Sequence, residues 1–340
     1  MNKFFTQNRS KETALSIYRQ RIEDAKIIYD KFADSFIPRP CPYCDSTEYT
    51  EEEKFIGLYE VARCSSCSFT YIRLVPNNEA LSYYYNECKC NLMLDDLFRK
   101  RATKGKKNVV NRGKLNEVMA IIDKVELKDE TPLRVLEIGC GSGSFLNLLQ
   151  ESLDERKINY ELYGVDLDKN AIAKNANSKV RMSFGGAETF IHDQRFDLII
   201  HFELIEHIIN PSRMMGNIFL HLKPNGYCFF STPNSLGLEI KAIDYNKTRF
   251  LAHSIFPPMH INGFNPQNIT HFILRNSFKV REIKTPGIFD VSILLSTAEL
   301  EELDDWVDEM KNLDDATLGT IQKIVSYLYG SSHMTCLIQK

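Results

Sequence analysis

Arg134-Val135-Leu136-Glu137-Ile138-Gly139-Cys140-Gly141-Ser142-Gly143-Ser144-Phe145 decides the fold of this chain. Val135 to Ile138 is a short apolar run with β-branched residues, the composition of a buried strand. Gly139, Gly141 and Gly143 break it at every second position, and Phe145-Leu146-Asn147-Leu148-Leu149 then opens a helical pattern. Strand, tight turn and helix start turn backbone N–H groups and the positive end of a helix dipole toward a ligand. Glycine has no Cβ, so the turn bends sharply and a cofactor can lie against the backbone. A dinucleotide fingerprint reads G-x-G-x-x-G/A; here the third glycine comes one place early and Ser144 holds the last position. No Gly-Lys-Ser/Thr follows, which excludes a phosphate P-loop.

The 340 residues, 43% of them hydrophobic, suffice for one sizeable core and a smaller appendage. A net charge of −3 exerts no global pull toward nucleic acid or membrane, and no apolar run approaches a membrane span. Met1-Asn2-Lys3-Phe4-Phe5-Thr6-Gln7-Asn8 turns polar too soon for a secretory leader. Nine cysteines is an odd number and four of them form C-x-x-C pairs, so the expectation is metal binding in a reducing, cytoplasmic setting rather than a disulfide framework.

Residues 1–40 read as an N-terminal helix, with Leu15, Ile17, Tyr18, Ile22, Ala25, Ile28, Tyr29 and Phe32 at helical spacing and Ile37-Pro38-Arg39-Pro40 ending it. Such a helix packs on the next module or on a second subunit, as in a homodimer. Residues 41–75 carry Cys41-Pro42-Tyr43-Cys44 and Cys64-Ser65-Ser66-Cys67, the spacing of a zinc ribbon. Cys41, Cys44, Cys64 and Cys67 would close a tetrahedron around one zinc ion with no open position, a structural site that folds a segment too small to hold itself together. Cys88 and Cys90 read as ordinary thiols. Residues 76–130 form a helical linker or substrate cap, with Tyr83-Tyr84-Tyr85 at its start and a helix over 109–125. Its basic run, Arg99-Lys100-Arg101-Ala102-Thr103-Lys104-Gly105-Lys106-Lys107, reads as a solvated face, the alternative being a contact to phosphates or RNA.

Beyond the glycine turn, Tyr160-Glu161-Leu162-Tyr163-Gly164-Val165-Asp166-Leu167-Asp168 is a second strand ending in acid. Asp166 has two acceptor oxygens for the two hydroxyls of a ribose, and Asp168 suits the N-cap of the next helix. Phe196-Asp197-Leu198-Ile199-Ile200 is a further strand, running into His201-Phe202-Glu203-Leu204-Ile205-Glu206-His207-Ile208. Tyr227-Cys228-Phe229-Phe230-Ser231-Thr232-Pro233-Asn234 is the next strand, with a polar tip.

Glu137-x-Gly139-x-Gly141-x-Gly143 resembles the first motif of the Rossmann-like S-adenosylmethionine (SAM) methyltransferases. The F-D-x-x-x…L-E-H pattern through Glu206-His207 resembles that of the ubiquinone-biosynthesis-like members. The resemblance covers residues 133–234 and makes Leu222-Lys223-Pro224-Asn225-Gly226 the turn before the strand that begins at Tyr227. It implies an α/β fold over 131–340, with a seven-stranded sheet in the order 3-2-1-4-5-7-6 and strand seven antiparallel. Phe278-Lys279-Val280-Arg281-Glu282-Ile283 fits strand six and His333-Met334-Thr335-Cys336-Leu337-Ile338-Gln339 strand seven, with a helical insertion over about 297–329 as a lid or dimer surface. It also implies that Glu137, Gly139, Cys140, Gly141, Gly143, Asp166, Leu167, Ala187, Glu188 and Glu203 surround SAM. In Gly185-Gly186-Ala187-Glu188, Gly186 replaces the acid that such enzymes often place near the adenine, leaving that contact to backbone or Glu188. The ribbon followed by Phe69-Thr70-Tyr71-Ile72 looks like the N-terminus of bacterial sugar and surface-polysaccharide methyltransferases, which implies a carbohydrate acceptor.

Methyl transfer from a sulfonium is an in-line displacement, and a base is needed only where the acceptor must lose a proton. Ligands of open α/β sheets lie beyond the carboxyl ends of the strands. That places Glu203, Glu206, His207 and Asn234 near the methyl group, and the candidates for a base are Glu206, His207 and His260, the last in Pro257-Pro258-Met259-His260-Ile261-Asn262-Gly263-Phe264. A structural or cofactor-side role competes for Glu206 and His207, and loop packing for His260. The leading function is a small-molecule methyltransferase acting on a sugar or nucleotide-linked sugar. The alternatives are an RNA methyltransferase with a zinc module, disfavoured by the modest charge, and a SAM-binding module without catalysis.

Overall fold

A computed structural model of the chain describes residues 10–90, 93, 109–126, 131–175, 177, 179–243, 247–250 and 254–340. The basic run at 99–107 lies outside the described residues. The first element, α1 (Lys11–Phe32), starts at Ser10, whose hydroxyl accepts from the Thr13 N–H as an N-cap. It buries Ala14, Ile17, Tyr18, Ala25 and Ile28 on one face.

Strands β1 (Ile37–Pro38), β2 (Tyr49–Phe55), β3 (Tyr59–Cys64), β4 (Thr70–Ile72) and β5 (Leu74–Val75) follow, then α2 (Asn78–Glu87) and α3 (Val109–Ile122). β1 pairs with β5, while β2, β3 and β4 form an antiparallel meander. The knuckles repeat one turn. The Asp45 N–H donates to Cys41 O and the Ser68 N–H to Cys64 O, with Asp45 and Ser68 both at positive φ.

The glycine-rich stretch folds as strand, turn and helix: β6 (Leu133–Ile138) leads into α4 (Ser144–Glu155). β7 (Tyr160–Asp166), α5 (Lys169–Ala173), β8 (Val180–Phe184), β9 (Phe196–Phe202), α6 (Pro211–His221), β10 (Leu222–Pro233) and α7 (Leu238–Ala242) continue the pattern. Then come β11 (Asn262–Gly263), α8 (Pro266–Arg275), β12 (Lys279–Lys284), α9 (Asp290–Thr297), α10 (Asp305–Met310), α11 (Asp315–Tyr327) and β13 (His333–Gln339). The seven-stranded sheet has the order β12-β13-β10-β9-β6-β7-β8. β13 is antiparallel to both neighbours and the other pairings are parallel. This is the α/β arrangement that the glycine turn and its following motifs imply.

Alternation along the strands serves two cores. Leu133, Val135, Leu198, Ile200 and Phe229 pack against α3 and α4, while Leu136, Ile138, Ile199 and Phe230 pack against α6 and α8. Two expectations shift. The stretch Leu222 to Gly226 is an irregular start of β10, with a register slip between Leu222 and Tyr227 and Asn225 at φ 63°, rather than a turn before it. The helical insertion begins at Asp290, because Leu294 packs with Ile243, Leu303 and Val307 in a small core of its own.

Among the described residues no helix is long and apolar enough to cross a membrane.

The ribbon is not closed on itself. β11, from the far side of the sequence, pairs antiparallel with β4, setting Asn262 opposite Tyr71 and Gly263 opposite Thr70. A Cβ on Gly263 would lie 2.9 Å from Thr70 O, so this approach requires glycine. Arg39, buried between the prolines that end the N-terminal segment, donates to Ile72 O, Ile209 O and Ile261 O and ties the three segments together. Burial pulls its guanidinium down to about 9, a cost that three carbonyl acceptors offset.

Candidate functional site

Gly139, Gly141 and Gly143 have φ of 72°, 53° and 75°, a backbone region open to glycine and strained for other residues. The Gly139 N–H donates to Val165 O, and the Gly141 N–H to Asp166 Oδ2 at 2.7 Å. Asp166 Oδ1 accepts from the Asp168 N–H at 2.8 Å. Each Asp166 oxygen therefore keeps one lone pair for a ribose while the backbone fixes the carboxylate's orientation. A Cβ on Gly141 would meet nothing within 4 Å, so this face of the turn is open. Asp168 caps α5, accepting from the Asn170 and Ala171 N–H groups.

Glu137 lies at the root of the turn, with Oε2 buried and without a hydrogen-bond partner. Burial pushes its carboxyl up to about 8. A buried acceptor atom beside an open glycine turn fits a ligand that donates to it, such as the amino group of SAM. Lys114 of α3 stands opposite, its Nζ 4.4 Å from the Phe202 ring centroid and its charge bearing on Glu137 and Glu203. No motif marks Lys114 in the sequence; only its place on the helix before β6 does.

The remaining cofactor candidates separate. Ala187 is buried, Leu167 is exposed at the rim, and Glu188 accepts from the Asn210 N–H at the start of α6. The Cys140 side chain turns into the core, where its Sγ would lie 2.7 Å from a Cβ on Gly164, while its N–H donates to Val165 O and its carbonyl accepts from the Gly143 N–H.

Beyond β9 the chain bends at Glu203, φ 50°. Ser231 Oγ donates to Glu203 Oε1 at 2.6 Å, and His333 Nε2 lies 3.1 Å from Oε2. Burial opposes the Glu203 charge, but the facing imidazolium and the hydroxyl outweigh it and hold the carboxyl well below its usual range. Burial likewise opposes a charge on His333, but Glu203 raises it to about 9. Nothing in the sequence marks His333 beyond its place at the start of the last strand.

Three residues later, Glu206 is fully buried. Thr232 Oγ1 donates to its Oε2 at 2.9 Å, while Oε1 has no hydrogen-bond partner and lies 3.8 Å from His207 Nε2. Burial, then repulsion from Glu203, pushes Glu206 up to about 8, and burial pulls His207 down to about 4. The His207 and His260 rings meet edge to face, with centroids 4.8 Å apart. One ligand atom each from Glu206, His207 and His260 lies within 4.8 Å of the others. The loop is fastened there: Asn262 Nδ2 donates to Ile205 O and Ile208 O, and the Ile261 N–H donates to Glu206 O. Tyr85 of α2 is half exposed, and the charges of Glu206 and Asp166 both bear on its hydroxyl. Asn234, expected near the reacting methyl, instead donates to Tyr329 O and Ser331 O.

In the ribbon, Cys41 Sγ lies 3.6 Å from Cys67 Sγ and Cys44 Sγ 3.5 Å from Cys64 Sγ, with all four sulfurs within 4.8 Å of one another. Four thiolates about 2.3 Å from a tetrahedral zinc sit about 3.8 Å apart, so the set fits that ion. Burial pushes the Cys41 thiol up to about 12, so a thiolate there calls for a cation.

Residues 111–283 match the family described as Methyltransferase domain. The ubiquinone biosynthesis O-methyltransferase of Rickettsia typhi is 30% identical over 122 residues, 34% of this chain and 47% of the relative. That of Coxiella burnetii is 38% identical over 107 residues, 29% of this chain and 43% of the relative. The chain thus spans about half the length of the curated relatives it matches. Among solved structures, an S-adenosylmethionine-dependent methyltransferase from Clostridium acetobutylicum aligns with a TM-score of 0.44 at 11% identity, covering 74% of this chain and 98% of that one.

Proposed function

This chain belongs to the methyltransferase domain family, of the class I Rossmann-like kind, and we propose that it transfers a methyl group from SAM to a small molecule. The carrying observation is the meeting of His207 and His260 beside the buried Glu206, at the carboxyl ends of the strands whose neighbouring turn suits the cofactor. When bound, SAM supplies an electrophilic methyl group to an acceptor aligned behind it.

The chain's own residues do the rest. Glu137, Asp166 and the backbone of Gly139 to Gly143, with Leu167, Ala187, Glu188 and Glu203 around them, form the cofactor side. The 254–264 loop covers the acceptor side and excludes water, strengthening each polar contact inside. His207, held neutral by burial, orients the acceptor together with Glu206. His260 accepts the proton that the acceptor hydroxyl loses.

The relatives are named O-methyltransferases, which favours a hydroxyl acceptor over nitrogen or carbon. The ribbon, with 76–130 as a cap, supports a sugar or nucleotide-linked sugar of a surface-polysaccharide pathway. The ribbon's role is structural, through one zinc ion. Unbridged cysteines suit a reducing cytoplasm.

The test is turnover of labelled SAM against nucleotide sugars, capsule precursors, hydroxylated aromatics and total RNA. We expect methylation of a hydroxylated small molecule and its loss in His260→Gln. Tight SAM binding without turnover on any acceptor would leave a non-catalytic SAM module, and methylation of RNA would move the ribbon to nucleic-acid recognition.

A further inference from the structure

Arg21 is the exception among the arginines of the described residues. Of those not exposed to solvent, Arg39 donates to carbonyls, Arg73 to Glu60, Arg134 to Glu161 and Arg249 to Ile243 O. Arg21 makes no hydrogen bond or ion pair with any described residue, and its Nε is buried. Asp24, one turn further along α1, does not serve it: one oxygen accepts from Gln20 Nε2 and the other from the Cys90 N–H.

The helix determines where this cation points. Tyr18, one turn earlier on the same face, meets Phe256 with ring centroids 6.1 Å apart, so that face packs on the loop carrying His260. The Arg21 charge bears on two groups there, the fully buried Tyr84 of α2 and His207. A half-buried guanidinium that no described carboxylate pairs is a costly arrangement unless an anion completes it. A planar fork of N–H donors suits a carboxylate or a phosphate bound through two oxygens.

We infer that the methyl acceptor carries an anionic group, carboxylate or phosphate, and that Arg21 binds it and so holds the acceptor's reacting atom toward His207 and His260. The inference rests on the methyltransferase reading and narrows its substrate class.

Calorimetric titration of the full chain saturated with S-adenosylhomocysteine tests it, with inorganic phosphate and 4-hydroxybenzoate as separate probes at fixed ionic strength. One of the two binds the wild-type chain at one site, and the preferred probe tells phosphate from carboxylate. Arg21→Gln weakens that binding tenfold or more, about the worth of one charge-assisted hydrogen bond. Arg19→Gln, on the exposed face of the same helix, leaves it unchanged, and both variants keep wild-type affinity for S-adenosylhomocysteine. Should Arg21→Gln not fold, Arg21→Lys carries the comparison, because its point charge lacks the fork and loses most of the affinity. Equal anion binding by wild type and the folded variant, or none by either, overturns the inference. Failure of the wild-type chain to bind S-adenosylhomocysteine at all strikes the methyltransferase reading instead.

Discussion

His333 Nε2 lies 3.1 Å from Glu203 Oε2, so the antiparallel last strand is fastened to the tip of β9 across the intervening β10. Ser231 of β10 donates to the other carboxylate oxygen, making one polar bridge over three strands. A third of the Glu203 side chain and half of that of His333 are open to solvent, so the bridge aligns groups at the site more than it stabilises the fold.

The pair has a defined pH window. His333 is raised from 6.5 to about 9, so its contribution is complete below about 6.5 and is lost as the pH rises through about 9. Glu203 is lowered, so its share is present above its ordinary carboxylate range and lost in acid. We expect His333→Gln to melt below wild type at neutral pH, with the gap closing by about pH 10. Melting curves of both proteins from neutral to alkaline pH check this; a gap constant with pH would remove the imidazolium from the bridge.

Glu206 responds in the same direction for another reason. Its carboxyl is raised from 4.5 to about 8, so the folded chain holds a proton that the unfolded chain releases, and stability falls as pH climbs between those values. Glu206→Gln resembles the protonated form. We expect it to match wild type within about 1 kcal/mol near pH 4 and to exceed it above pH 8. Chemical denaturation at the two pH values decides, and a variant weaker at both would show that the carboxylate is the resident form.

Asp166→Ala should weaken S-adenosylhomocysteine binding about ten- to hundredfold, the worth of one to two charge-assisted hydrogen bonds. Asp166 also fixes the Gly141 N–H, so Asp166→Asn, which keeps an acceptor toward that group, should fall between the two. Titration calorimetry reads both, and unchanged affinity in the alanine variant would remove the ribose assignment.

Zinc content and turnover should be linked through the loop. We expect one zinc per chain by elemental analysis, with Cys44→Ser losing the metal. Because β4 pairs with β11, that loss should lower methyl transfer at least tenfold while S-adenosylhomocysteine affinity stays within about twofold of wild type. Equal loss of both would place the ribbon's influence on the whole fold.

The glycine turn was legible because glycine spacing is a local signal, and the strand order followed from the resemblance which that turn and the later motifs carry; Gly139, Gly141 and Gly143 hold their conformation in their identity. The paired C-x-x-C knuckles were legible for the same reason. Lys114, His333 and Arg21 were not. Each is an ordinary residue on an ordinary element, and only the packing of α1, α3 and β13 around the strand tips sets it beside the site. Arg39 hid between two prolines because its three acceptors lie 33, 170 and 222 residues away. Asn234 misled because a polar residue at a strand tip reads alike whether it faces a ligand or tethers a loop, as here toward Tyr329 and Ser331.

The two-residue pairing of Asn262 and Gly263 with Tyr71 and Thr70 sets a rule for engineering. A chimera that exchanges only the first 75 residues with a relative would bring a foreign sheet edge against a loop shaped for this one. Gly263, Asn262 and the acceptors of Arg39 would then face partners they do not fit. Residues 254–264 must travel with the ribbon. The two segments pack as one unit although nearly two hundred residues of the α/β fold separate them along the chain, so an exchange of one calls for an exchange of both.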